Sequence, residues 1–197
     1  DLKGSINIPG SKNAALPILV ASLLSKKNLN IKNIPDLQDI KSMITLLENF
    51  GVLVTKNKNE LIFNASKIKN NIADYDLVRK MRASILVLGP LLARLGKAKI
   101  SLPGGCAIGT RPIDIHLDSL SKLGVNFEVE NGFVYGVVKN KLHGGVINLP
   151  FPSVGATENL MMASCIAEGE TIINNPAREP EIIDLEKSLN SMGAKIS

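Results

Sequence analysis

The sequence has no tryptophan, two tyrosines and five phenylalanines in 197 residues, too few aromatic faces to build a base-stacking platform for single-stranded nucleic acid. Its two cysteines, Cys106 and Cys165, exclude a disulfide framework and leave either one bridge or two free thiols. A reducing, cytoplasmic compartment is the simpler expectation for so little cysteine. Two histidines, His116 and His143, stand far apart without a ligand set at the usual spacing, so no metal site is expected. The longest apolar stretch, Ala14 to Leu24, is broken by Pro17 and Ser22 and falls short of the ~18 residues that span a bilayer. Neither membrane association nor secretion is expected.

The composition that remains suits a soluble globular protein rather than a disordered one. Hydrophobic residues make up 45% and charged residues 21%, and a chain of this length buries roughly 70% of its unfolded surface without a staple. Lys and Arg number 23 against 18 Asp and Glu, a net charge of +5. That balance suits phosphate-bearing partners.

An internal repeat organises the chain. Gly4-Ser5-Ile6-Asn7-Ile8-Pro9 recurs as Gly145-Val146-Ile147-Asn148-Leu149-Pro150. Three apolar stretches, Asn13 to Ser25, Arg82 to Leu95 and Ala156 to Ala167, each lead into a short strand, a loop and a second helix. The second helices carry apolar residues at helical spacing, such as Ile40, Met43, Ile44 and Leu47, with charges on the opposite face. Each ends at a glycine, Gly51, Gly124 or Gly193, where a left-handed cap is wanted. The first helices are apolar nearly all round and belong in the interior. A hairpin should follow each glycine, most clearly at Asn131-Gly132. The pattern predicts βαβαββ units over about 4–70, 75–140 and 145–197, the last one short of its final strand. Buried central helices and outer sheets in approximate threefold symmetry make up the expected domain.

Four clusters carry polar chemistry. Pro9-Gly10-Ser11-Lys12-Asn13 enters a buried helix, where backbone N–H groups and the lysine together suit an anion; the plainer alternative is a capped turn with a solvated lysine. Met81-Arg82-Ala83-Ser84 holds the matching place in the second unit, so Arg82 is expected at the same end of the domain as Lys12. The loop from Pro103 to Pro112 has three glycines and places Cys106 near Arg111 and ahead of a helix. That surrounding lowers a thiol pKa and suits an acid or nucleophile, whereas Cys165, in an apolar run, reads as structural. Pro152-Ser153-Val154-Gly155-Ala156-Thr157 offers amides and hydroxyls for a nucleotide phosphate. Asp114, His116, Arg178, Glu179 and Glu181 read mostly as caps or solvated faces.

These motifs, with Tyr75 to Ser84, Leu102 to Asp114 and Ala177 to Asp184, resemble the UDP-N-acetylglucosamine 1-carboxyvinyltransferases, a family of enolpyruvyl transferases. The Gly-Gly-Cys-Ala-Ile-Gly loop sets that family apart from its sibling of aromatic amino acid synthesis. The resemblance implies an inside-out α/β prism. It also implies transfer of the enolpyruvyl group of phosphoenolpyruvate to the 3′-hydroxyl of UDP-N-acetylglucosamine, with no metal or organic cofactor. By the same resemblance, Cys106 is the loop acid that fosfomycin alkylates. Lys12 and Arg111 hold phosphoenolpyruvate, Arg82 is a further active-site cation, and Asn13 contacts the sugar. Arg111, Pro112, Ile113 and Asp114, with Ser153, Val154 and Gly155, bind the uridine diphosphate portion. The family's chains are roughly double this length, in two similar domains, so the resemblance covers the first domain and implies that this portion alone is inert. A non-catalytic UDP-sugar or anion-binding domain of the same fold is the alternative, and a nucleic-acid binder suits the sequence least.

Overall fold

A computed structural model describes residues 3–58, 60–79, 81–102 and 113–197. Three of the candidate site residues, Cys106, Arg111 and Pro112, lie outside them.

The middle unit is the most complete. Strand β4 (Ile72–Ala73) pairs in parallel with β5 (Lys97–Ser101), which continues antiparallel into β7 (Phe133–Val138) and β6 (Val125–Glu130). Between the parallel strands run α3 (Tyr75–Val78), a 3₁₀ segment (Arg82–Val87) and α4 (Leu88–Leu95); α5 (Asp114–Ser121) links β5 to the hairpin. The first unit follows the same course with α1 (Lys12–Ala21), β1 (Asn28–Lys32), α2 (Gln38–Asn49) and the hairpin β2 (Leu53–Asn57) and β3 (Glu60–Asn64), in the order β1-β3-β2. The third has β8 (Val146–Asn148) parallel to β9 (Ile172–Asn174), with α6 (Val154–Ser164) between them and α7 (Pro180–Ser191) after.

Hydrophobic patterning explains the layers. Helix α6 buries every residue from Ala156 to Ala163, and α1 buries seven of its ten. Such helices have no face to give to water and pack against one another inside. The amphipathic α2 and α7 cover them, burying Ile40, Met43, Leu46 and Leu47, and Ile182, Leu185 and Leu189. The sheets lie outside, turning Ala98, Ile100 and Val134 inward. Gly51, Gly124 and Gly193 have φ of +98°, +100° and +108°, the left-handed conformation expected after the second helices. No helix among the described residues is long and apolar enough to cross a membrane.

Two expectations need correction. Gly4 to Pro9 shares the sequence of β8 yet forms no strand; Ile6 and Ile8 are 86% and 78% exposed. By the repeat it would lie along the open edge of β1, but among the described residues the one backbone bond nearby is that which Gly10 N–H donates to the Asn33 carbonyl at 3.1 Å. Helix α5 runs from Asp114 with Ile113 in the capping position and no side-chain cap; Arg111-Pro112 lies outside the described residues. The stretch Arg82 to Leu95 is not one α-helix: its first half is a 3₁₀ segment. Pro90 brings no N–H for the Leu86 carbonyl. One step earlier, the Gly89 N–H that would bond the Ile85 carbonyl in an α-helix donates instead to Asn159 Oδ1 at 2.8 Å. Asn159 Nδ2 in turn donates to the Ile85 carbonyl at 3.1 Å. The side chain of α6 replaces one rung of the neighbouring helix and divides it there.

Candidate active site

Each unit delivers the start of its inner helix to one end of the domain. Ser11 caps α1, its hydroxyl accepting the Ala14 N–H at 3.5 Å, and Lys12 and Asn13 follow in the first turn. Arg82 opens the 3₁₀ segment, and Ser153 caps α6 by accepting the Ala156 N–H at 3.4 Å. Lys12, Asn13, Arg82, Ser153, Val154 and Gly155 share the wall of one open cleft of about 890 Å³. Ile113 and Asp114 are not on that wall: Ile113 packs against the core and Asp114 is exposed in the first turn of α5.

Lys12 is held by Asp39 of α2, Nζ to Oδ2 at 2.9 Å, with both side chains more than a third exposed. An ion pair this wet contributes little to stability, but it orients the ammonium across the α1 entrance. Asn13 Nδ2 donates to Glu181 Oε1 of α7 at 3.4 Å. Arg82 is exposed, and its charge helps lower the pKa of His116.

Asp39, Glu181, His116 and Glu158 are among the residues on this wall that the sequence did not assign to the site. Asp39 and Glu181 orient Lys12 and Asn13. His116, read as a cap or solvated residue, instead packs against the α6 entrance: a Cβ on Gly155 would stand 3.0 Å from its Cε1 and 3.3 Å from its Nε2. Burial first, and then Arg82, depress its pKa to about 4, so the ring is neutral at pH 7. Glu158, one turn into α6 and only 4% exposed, reaches the cleft. Burial, reinforced by the charges of Glu181 and Glu179, raises its pKa to about 8. Both shifts oppose charge in a desolvated wall. A signal was present for Glu158 and Asn159: two adjacent polar residues in the middle of an otherwise apolar helix imply a polar cluster in the interior.

Cys165, by contrast, lies where the apolar context put it. Its Sγ–H donates to the Met161 carbonyl at 3.2 Å, and burial raises its pKa to about 11. That thiol is inert at neutral pH.

The arrangement can receive a polyanion. Three cations, Lys12, Arg82 and the Asp76-paired Arg79, and the heads of two helices, α1 and α6, line one cleft, and the third unit contributes amides rather than a cation. Neutral His116 and protonated Glu158 add hydrogen-bond donors without adding charge.

Comparison with known proteins agrees with the geometry. The sequence matches the EPSP synthase (3-phosphoshikimate 1-carboxyvinyltransferase) family along residues 1–197. Curated relatives named UDP-N-acetylglucosamine 1-carboxyvinyltransferase are 55% identical over 195 residues in Pelagibacter ubique and 52% identical over 196 residues in Psychromonas ingrahamii. These alignments cover 99% and 100% of this chain and 47% of each relative, so the chain spans about half their length. Among solved structures, the enolpyruvyl transferase NikO from Streptomyces tendae superimposes with a TM-score of 0.85 at 20% identity, over 100% of this chain and 46% of its own. An EPSP synthase from Acinetobacter baumannii gives 0.78 at 19% identity, over 98% and 44%. The family match along the whole chain makes it a member of the EPSP synthase family.

Proposed function

We propose that this chain is the half of a UDP-N-acetylglucosamine 1-carboxyvinyltransferase that carries the acid and part of the cationic site, a cytoplasmic enzyme of peptidoglycan synthesis. The observation that carries the reading is the convergence of Lys12, Arg82 and the Ser153–Gly155 amides, one group from each unit, on one cleft. Relatives at 50–55% identity bear that name, whereas the solved EPSP synthases are 18–19% identical.

In this reading Lys12, Arg82 and Arg111 offset the charge of phosphoenolpyruvate. Ser153, Val154 and Gly155 receive the diphosphate of the nucleotide sugar, with Arg111, Pro112, Ile113 and Asp114 on its uridine side, and Asn13 faces the sugar. Cys106 gives a proton to C3 of phosphoenolpyruvate as the 3′-hydroxyl oxygen bonds to C2 and loses its own proton to a base. The tetrahedral adduct then breaks its C2–O bond to phosphate and gives up a C3 proton, restoring the double bond in the product. The base and further cations belong to the second domain of the complete enzyme, so this chain alone is inert.

The test is phosphate release from phosphoenolpyruvate by a polypeptide joining this chain to the remaining half of the Pelagibacter ubique relative. Turnover should require UDP-N-acetylglucosamine, fail with Cys106→Ser, and be blocked by fosfomycin with an adduct on Cys106. Turnover with 3-phosphoshikimate instead would move the chain to the sibling reaction. UDP-sugar binding without turnover, indifferent to Cys106, would make it a binding domain.

A further inference from the structure

We propose that Asn159 is a positioning residue that locks His116 as its Nε2–H tautomer, so that the ring presents a neutral N–H donor to an oxygen of the nucleotide diphosphate seated beside Ser153–Gly155. The diphosphate ligand rests on the function proposed above; the lock itself does not.

The lock follows from donor and acceptor inventory. A backbone N–H can only donate, so the Gly89 N–H at 2.8 Å identifies its partner on Asn159 as the carbonyl oxygen Oδ1. The other end of the amide is therefore Nδ2, which reaches the Ile85 carbonyl at 3.1 Å and His116 Nδ1 at 2.9 Å. Nδ2 has only hydrogens to offer, so Nδ1 must accept with a bare lone pair. A neutral imidazole with bare Nδ1 carries its proton on Nε2. Protonating the ring would set Nδ1–H against the amide N–H, in the same direction as the effect of burial and Arg82 on this group.

The amide cannot turn over to relieve this. Asn159 is fully buried, and a flip would set its NH₂ against the Gly89 N–H while removing the donor from Ile85. A Cβ on Gly89 would stand 2.6 Å from the Asn159 carbonyl oxygen and 2.8 Å from Oδ1, so only glycine admits α6 this closely. The Nε2 edge of the ring lies against Gly155, a residue of the cleft wall. His116 lines the cleft, and Nε2 lies near the α6 entrance, where the first-turn amides point outward. A neutral donor there adds a hydrogen bond to an anionic oxygen without an imidazolium beside Arg82.

Two measurements test this. Side-chain ¹⁵N spectroscopy of the wild-type chain at neutral pH should show His116 protonated at Nε2 and bare at Nδ1, with the Nε2–H resonance moving when UDP is added. In the same chain, His116→Gln, whose amide nitrogen falls near Nε2, should bind UDP within about threefold of wild type. His116→Asn, whose amide reaches only the Nδ1 position, should weaken binding about tenfold, the loss of one hydrogen bond to a charged group. A proton on Nδ1 overturns the lock. Equal UDP affinity for the Asn and Gln variants, or an Nε2–H unmoved by bound UDP, overturns the donor role. Failure of the wild-type chain to bind UDP, with the tautomer as expected, overturns the nucleotide reading and the donor role while leaving the lock standing.

Discussion

Two desolvated ionisable residues, half-buried His116 and buried Glu158, give the folded chain opposing responses to pH. His116 has a folded pKa of about 4 against an ordinary 6.5, so as pH falls through that window the unfolded chain takes up a proton that the folded chain refuses, and stability is lost. Glu158 has a folded pKa of about 8 against 4.5. As pH rises between those values the unfolded chain gives up a proton that the folded chain keeps, and stability is again lost. Glu158→Gln removes the second effect. Its melting temperature should match wild type near pH 4.5 and exceed it by several degrees at pH 8, since each kcal/mol moves a chain of this size by roughly 2–4 °C. A gap that does not change with pH would contradict the assignment. Cys165, raised to about 11, is roughly one part in a thousand thiolate at pH 8, so Cys106→Ser should abolish fast labelling by a thiol reagent. Labelling that persists in that variant would show Cys165 to be reactive. That Lys12, Asn13, Arg82 and Ser153–Gly155 share one cleft wall was legible because charges and capping turns recur at matching helix starts of the repeat. It misplaced His116 because burial by residues distant in sequence, not its neighbours on α5, decides its state.

At the scale of elements, the divided helix Arg82 to Leu95 and its partner α6 are the main joint. Gly89→Ala should drive a methyl into Asn159, and over-packing of this kind typically costs about 1–3 kcal/mol. The loss should appear as a lower denaturant midpoint with unchanged slope. A neutral effect would mean that the two helices can separate freely. A second joint is Arg94 of α4, whose guanidinium donates to the carbonyls of Leu23 at 2.7 Å and Ser25 at 2.9 Å, beyond the end of α1. The apolar periods, the glycine caps and the Asn131-Gly132 hairpin were legible because each is a local rule. The break at Gly89 was not, because it depends on one amide arriving from a helix 70 positions away.

The whole molecule is a pseudo-threefold array whose three inner helix starts meet at one end, and that convergence makes the cleft. Repetition made the order of elements readable from sequence alone. It misled at Gly4 to Pro9, where a strand-like sequence has Ile6 and Ile8 in water and no partner among the described residues. A site that gathers cations from this array but spans about half the length of its relatives should bind before it can turn over. The most direct measurement is phosphate release from phosphoenolpyruvate and UDP-N-acetylglucosamine, by this chain alone and by this chain joined to the remaining half of the Pelagibacter ubique relative. The expected result is none from the chain alone, turnover from the joined polypeptide, and its loss with Cys106→Ser or Lys12→Ala. Turnover by the isolated chain, or joined turnover that survives both substitutions, would contradict the account.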